Sequence, residues 1–186
     1  DAGIRYIFDN IGNLTSIRNI SMFLESEGMS LDASSVESYV SALCEAYLAY
    51  KAVPKDLHGK ELLKTGAKYY VVDMGLRRFL LGNRSFDAGR ILENVVYLEL
   101  IRRHQEVYVG RIDGREVDFV TRDGGEVKYW QVAETMRGDD VRKREFAPLK
   151  AIANHCPKTI LSLDVDPVGY EDGIKTMNAL DFLLDR

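Results

Sequence analysis

The chain has 186 residues, 46% hydrophobic and 29% charged, with a net charge of −4. That is the composition of a globular protein with one large or two small domains, and it excludes a strongly basic polyanion binder. No apolar run approaches the roughly 20 residues of a membrane span, and charge balances of −1, 0 and −3 over residues 1–82, 83–150 and 151–186 leave no segment basic as a whole.

Cys44 and Cys156 lie far apart, and His58, His104 and His155 are scattered. This usage fits neither a disulfide framework nor a zinc site, and it points to a reducing, cytoplasmic compartment. The chain opens at Asp1 without Met or a signal-like segment, and it reads as a piece of something longer.

Residues 4–11 read as the end of a helix. Thr15-Ser16 caps a second helix to about Ser26, closed by Gly28. Ser34 with Glu37 forms a capping box for a third, with Val36, Val40, Leu43, Tyr47 and Leu48 at helical spacing. Strand character follows at Tyr47–Val53. A polar loop runs from Pro54 to Gly66, and a strand returns at Lys68–Val72. Three helices and a hairpin with a basic loop are the order of a winged helix. Such a domain puts Lys55, Lys60 and Lys64 on phosphate. The third helix carries Ser35, Glu37, Ser38, Ser41 and Glu45 and no Lys or Arg, so it is a poor reader of guanine edges. A purely structural winged helix fits the same pattern. Met74–Leu81 is a short amphipathic helix whose Arg77-Arg78 reads as surface or interdomain residues, not a phosphate site. Gly82-Asn83 marks a domain boundary, giving domains 1–82 and 83–186.

Asp87–Arg103 is a long helix with Ile91, Val95, Leu98 and Ile101 as its main stripe and Glu93 in its first turns. Three alternating strands follow within Glu106–Ala133, broken at Asp113-Gly114 and Asp123-Gly124-Gly125, both hairpin signals. Alternation sets Val117 and Phe119 against Glu116, Asp118 and Val120. It also sets Tyr129, Gln131 and Ala133 against Lys128, Trp130, Val132 and Glu134. Asp140 caps a helix to about Asn154, with Arg142, Lys143 and Arg144 outside as a phosphate patch or a solvated face, and Pro148 as a kink. Thr159–Leu163 is a buried strand, Asp164–Asp172 is turn-rich, and Ala179–Leu184 is a final helix. The second domain thus reads αβββαβα, a mixed sheet flanked by helices, and the fold class is α/β (α+β). No G-x-x-x-x-G-K-[ST] run occurs, so no ATP-binding P-loop lies in these residues.

An acid on the first helix, Glu93, an acid mid-way along the second strand, Asp118, and a polar residue on the third, Gln131, resemble the PD-(D/E)XK nuclease fold. The phrases GRILENVVYLEL (89–100), GREVDFV (114–120), YWQVAE (129–134), REFAPLKAI (144–152), KTILSLD (158–164) and DFLL (181–184) resemble the C-terminal domain of bacterial and archaeal P-loop AAA-type ATPases. KYYVVDMGLRRFLLG (68–82) resembles the join before that domain. The resemblance implies an N-terminal ATPase module elsewhere in the parent chain. It also implies a catalytic set of Glu93, Asp118 and Gln131 with Mg²⁺. Gln131 stands where that fold carries an acid, and Ala133 where it carries a lysine.

Three functions stay open at this point. One is a non-catalytic module recognising nucleic acid or a partner. Another is a Mg²⁺-dependent endonuclease using Glu93, Glu116 and Asp118, with Lys143 or Arg144 as a migrated cation. The third is a protein-interaction or homo-oligomerisation module without nucleic acid. The expected partners are DNA, the chain's own ATPase module and a second copy; no membrane is expected.

Overall fold

A computed structural model describes residues 2–59, 66–82, 87–167 and 169–185. These fall into two compact units. The described residues up to Val53 and from Gly66 to Asp87 form one; Pro54–Gly59 and the chain from Ala88 onward form the other.

The first unit runs α1 (Ala2–Asp9), α2 (Ile17–Ser26), α3 (Ala33–Glu45), β1 (Ala49–Ala52), β3 (Lys68–Val71) and α4 (Met74–Leu81). Ser16 caps α2 by accepting from the Asn19 amide, as the sequence predicts. The cap of α3 is Asp32, not Ser34: its carboxylate accepts from the Ser35 amide and the Ser34 hydroxyl, so the helix starts at Ala33. A carboxylate at this position also meets the positive end of the helix, an advantage a hydroxyl lacks. Strands β1 and β3 pair antiparallel, from Ala49 opposite Val71 to Ala52 opposite Lys68. Ile7, Phe8, Ile11, Ile20, Val36 and Val71 centre the core. Arg77, expected at the surface or between domains, is buried inside the first unit, and its Nε donates to the Phe8 carbonyl at 2.7 Å. Arg78 beside it is exposed.

Residues 54–59 depart from the expected hairpin loop. Pro54–Asp56 is a strand, β2, that pairs parallel with β4 (Glu106–Ile112) of the second unit. Pro54 suits an edge strand, where its missing N–H costs no ladder bond. The second unit continues with α5 (Ala88–Arg103), β5 (Arg115–Asp123), β6 (Glu126–Ala133), α6 (Asp139–Lys150), β7 (Lys158–Ser162), β8 (Gly169–Glu171), β9 (Ile174–Asn178) and α7 (Ala179–Leu183). Its seven-stranded mixed sheet has the order β2-β4-β5-β6-β7-β9-β8. Strands β4, β5 and β6 are an antiparallel meander turned at Asp113-Gly114 and Gly124-Gly125, and β6, β7 and β9 run parallel. Both residues of the first turn have positive φ, as its Asp-Gly signal predicts. Counting both units, seven helices occur among the described residues.

Helix α6 covers one sheet face with Phe146 and Leu149 over Val120, Tyr129 and Ile160. Alternation turns Phe119 and Trp130 to the other face, against Tyr97 of α5 and Phe182 of α7. Helix α5 buries Leu92, Val96, Tyr97 and Leu100. The stripe expected to lead, Ile91, Val95, Leu98 and Ile101, is only half-buried, and the helix is rotated from the expected setting. A rod apolar on most sides has no single face to specify its rotation, so packing against the sheet decides it.

Where β6, β7 and β9 end, Asp164 ties their exits together. Its carboxylate accepts from the Thr135 hydroxyl at 2.7 Å and the Met136 amide at 2.6 Å, and Asn178 donates to its carbonyl. Burial pushes its pKa up, but the bonds from Met136, Thr135 and Ser162 outweigh burial and hold it below the ordinary value.

At the far end of α5, Glu99 pairs with Arg102 and Arg103, and Arg103 reaches on to the Phe182 carbonyl of α7. The Arg102 hydrogen bond, joined by those of Arg103 against the opposing effect of burial, lowers the Glu99 carboxyl from 4.5 to about 2. A depressed carboxylate contributes stability that is present above its unfolded value and lost as pH falls through its folded one. The stability curve therefore descends between about pH 4.5 and 2, and Glu99→Gln flattens that limb in acid-unfolding scans. The expected size is about 1 kcal/mol, because water around the exposed Arg102 screens the pair.

Candidate functional site

Strands β5 and β6 are paired from Asp123 opposite Glu126 to Phe119 opposite Trp130, and no further. Beyond that point β6 pairs with β7 alone, and side chains bridge the opening toward β5. The Val132 amide donates to Asp118 Oδ2 at 2.8 Å, and the Asp118 amide points at Gln131 Oε1 at 3.4 Å. On its other side β5 meets β4 through an irregularity between Tyr108 and Gly110. This bulge shifts the side-chain parity. Val117 and Val120 share the α6-side core, while Phe119 faces Tyr97, so the simple alternation expected from Val117 to Val120 is broken at Asp118. Gly110 makes the bulge packable, since a Cβ there would lie 2.9 Å from Val120 Cγ2 and 3.0 Å from Val117 Cβ.

Into this opening α6 inserts a residue the sequence reading left out. Glu145 is 7% exposed, beside Gln131 at 7% and Asp118 at 8%. Gln131 Nε2 donates to Glu145 Oε2 at 3.0 Å, and the Arg144 guanidinium closes on Glu145 Oε1 at 2.8 Å. The signal was available: Val141, Glu145 and Leu149 fall at i, i+4 and i+8, which places Glu145 on the inward face. Helix α6 also starts two residues earlier than expected. Gly138 takes the cap position without a side-chain bond, so Asp140 is not the cap but a first-turn acid beside Asp139. Both acids suit the helix's positive end. Pro148 lies inside the helix without ending it.

Arg115, Glu116, Asp118, Gln131, Arg144 and Glu145 line one cleft of about 370 Å³. Glu116 also stands 3.8 Å from Arg111. Glu93 is half-buried on α5. Glu93 is not among the residues lining this cleft, and among the described residues no group of three or more His, Cys, Asp or Glu is gathered as metal ligands would be. As donors for Mg²⁺ the central residues do not fit. Mg²⁺ requires near-octahedral oxygen ligands. The two neighbours of Gln131 set its amide in one orientation, because the Asp118 N–H needs an acceptor and the Glu145 carboxylate needs a donor. The amide thus presents an N–H, not an oxygen, to the carboxylate that a cation would share. Ala133 is buried and supplies no charge.

Of the residues expected on phosphate, Lys55, Arg142 and Arg144 are engaged elsewhere. Lys55 is ion-paired with Glu106 and lies 4.2 Å over the Tyr108 ring. Arg142 pairs with Glu171, and Arg144 with Glu145. Lys143 is exposed. Lys60 and Lys64 lie outside the described residues.

Residues 2–87 match the model of a family described as a domain of unknown function, DUF8612. An uncharacterized protein of Haemophilus influenzae is 35% identical over 181 residues, covering 97% of this chain and 44% of its own. An uncharacterized protein of Methanocaldococcus jannaschii is 30% identical over 127 residues, covering 68% of this chain and 26% of its own. The chain therefore spans less than half the length of these relatives. No solved structure matches it.

Proposed function

We propose that the second unit is a nuclease-like domain that recognises a partner instead of cutting a nucleic acid. In this reading the first unit is a winged-helix-like support, and the recognition event is coupled to a P-loop ATPase module of the parent chain. The supporting observation is the wiring of the β5–β6 opening. Asp118 and Glu145 each accept hydrogen bonds from the protein itself, through Val132, Gln131 and Arg144. No lysine stands two residues beyond Gln131, where Ala133 lies. A protein partner fits better than DNA, because Lys55, Arg142 and Arg144 already have carboxylate partners. Phosphate would have to displace those carboxylates.

Fluorescence anisotropy with duplex DNA, read across a salt series, tests this. The expected result is no binding tighter than about 1 μM at roughly 50 mM salt, where phosphate contacts are strong. Micromolar or tighter binding that weakens steeply with salt would replace the protein-partner version with a nucleic-acid one.

The endonuclease reading keeps one observation in its favour: Glu116, Asp118 and Glu145 line the same cleft. Plasmid cleavage with Mg²⁺ or Mn²⁺ that Asp118→Asn abolishes would establish it.

A further inference from the structure

The nuclease-like reading predicts a divalent cation between the second and third strands of the meander, where Asp118, Gln131, Glu145 and Arg144 hydrogen-bond to one another and to the Val132 amide. We infer that the Gln131–Glu145 pair has taken the cation's place, and that the centre is metal-independent by construction. The inference rests on the nuclease-like reading of the sheet, and its test is separate from the DNA measurements above.

Two buried carboxylates, Asp118 and Glu145, flank one buried amide. Carboxylates this deep need positive charge or donors. A divalent ion supplies charge to all of them at once. Here the donors are divided: the Val132 amide serves Asp118, and the Gln131 amide and Arg144 serve Glu145. Gln131 is the residue on which this depends. Its oxygen receives the Asp118 N–H, and its nitrogen answers Glu145. A carboxylate at 131 would face Glu145 at about the present 3.0 Å with no proton between them, a spacing at which two anions do not both stay ionised without a cation. The neutral residue at 131 and the acid at 145 are therefore one arrangement: a negative charge sits on the helix because the strand residue is an amide that can donate to it. The chain is one substitution away from a cation-dependent centre.

The experiment is thermal unfolding of the full chain with and without millimolar Mn²⁺ or Mg²⁺. Wild-type protein is expected to show no metal-dependent shift. Gln131→Glu is expected to melt lower without metal and to recover by roughly 5–10 °C with saturating Mn²⁺, as ligand linkage gives for a chain of this size. Gln131→Glu combined with Glu145→Gln exchanges amide and acid, and is expected to return close to the wild-type melting point with no response to metal. A wild-type shift with Mn²⁺ or Mg²⁺ that Asp118→Asn removes would overturn the inference, whether or not DNA is bound. So would a Gln131→Glu protein that melts like wild type and ignores metal. If Gln131→Glu does not yield folded protein, the wild-type titration against Asp118→Asn decides: metal-insensitive wild type supports the inference, and a response lost in Asp118→Asn sinks it.

Discussion

Asp118→Ala is expected to lower the unfolding free energy by about 1–3 kcal/mol, the cost of leaving a half-buried donor without its charged acceptor. The donor is the Val132 amide, held at 2.8 Å where β6 has left β5. The sign of this effect carries the functional content. In a metal centre, crowded carboxylates repel one another when the ion is absent. Truncating one then stabilises the metal-free protein, as expected where a site trades stability for activity. In this network Asp118 is a structural acceptor, and truncation destabilises. Urea unfolding of wild type and Asp118→Ala in EDTA separates the two; a more stable variant would argue for a cation site and against the wiring described here.

Arg77→Met is expected to destabilise the first unit by a similar amount, about 2–3 kcal/mol. Arg77 is 5% exposed, and its Nε reaches the Phe8 carbonyl near the end of α1. Carbonyls in the last turn of a helix have no partner in their own helix, and a cation there also meets the negative end of the helix dipole. Methionine keeps much of the side-chain volume and removes the donor, so the change isolates the hydrogen bond and charge from packing. Arg78→Met is the control, an exposed neighbour expected to change stability by no more than about 0.5 kcal/mol. Equal effects from the two substitutions would mean that Arg77 does not tie α4 to α1.

The two arginines also mark where sequence reading stops. Adjacent residues of one type in an amphipathic helix look alike in composition, yet a rotation of about 100° per residue buries one and exposes the other. The same limit applied at α5, where apolar residues on most sides left the buried face open. Hairpins were easier: Asp113-Gly114 carries its conformation locally, since Asp and Gly tolerate positive φ. Asp172-Gly173 carries the same signal, also with positive φ at both residues, and it joins β8 to β9. That strand pair was overlooked because the flanking segments, Gly169–Glu171 and Ile174–Asn178, are short and weakly alternating.

By itself the sequence determined the α/β class, the meander with its turns, the helices on either side of it, and the placing of Asp118 and Gln131 on neighbouring strands. These follow from local periodicity and turn chemistry, which act over a few residues. Tertiary structure alone decided that Pro54–Asp56 joins the second unit's sheet, that β5 bulges at Asp118, and that Glu145 arrives from α6 to meet Gln131. Each of these is a contact between residues far apart in the chain, set by how whole elements pack. Helical spacing turns Glu145 inward, but no local pattern specifies that it meets the gap that two diverging strands leave open.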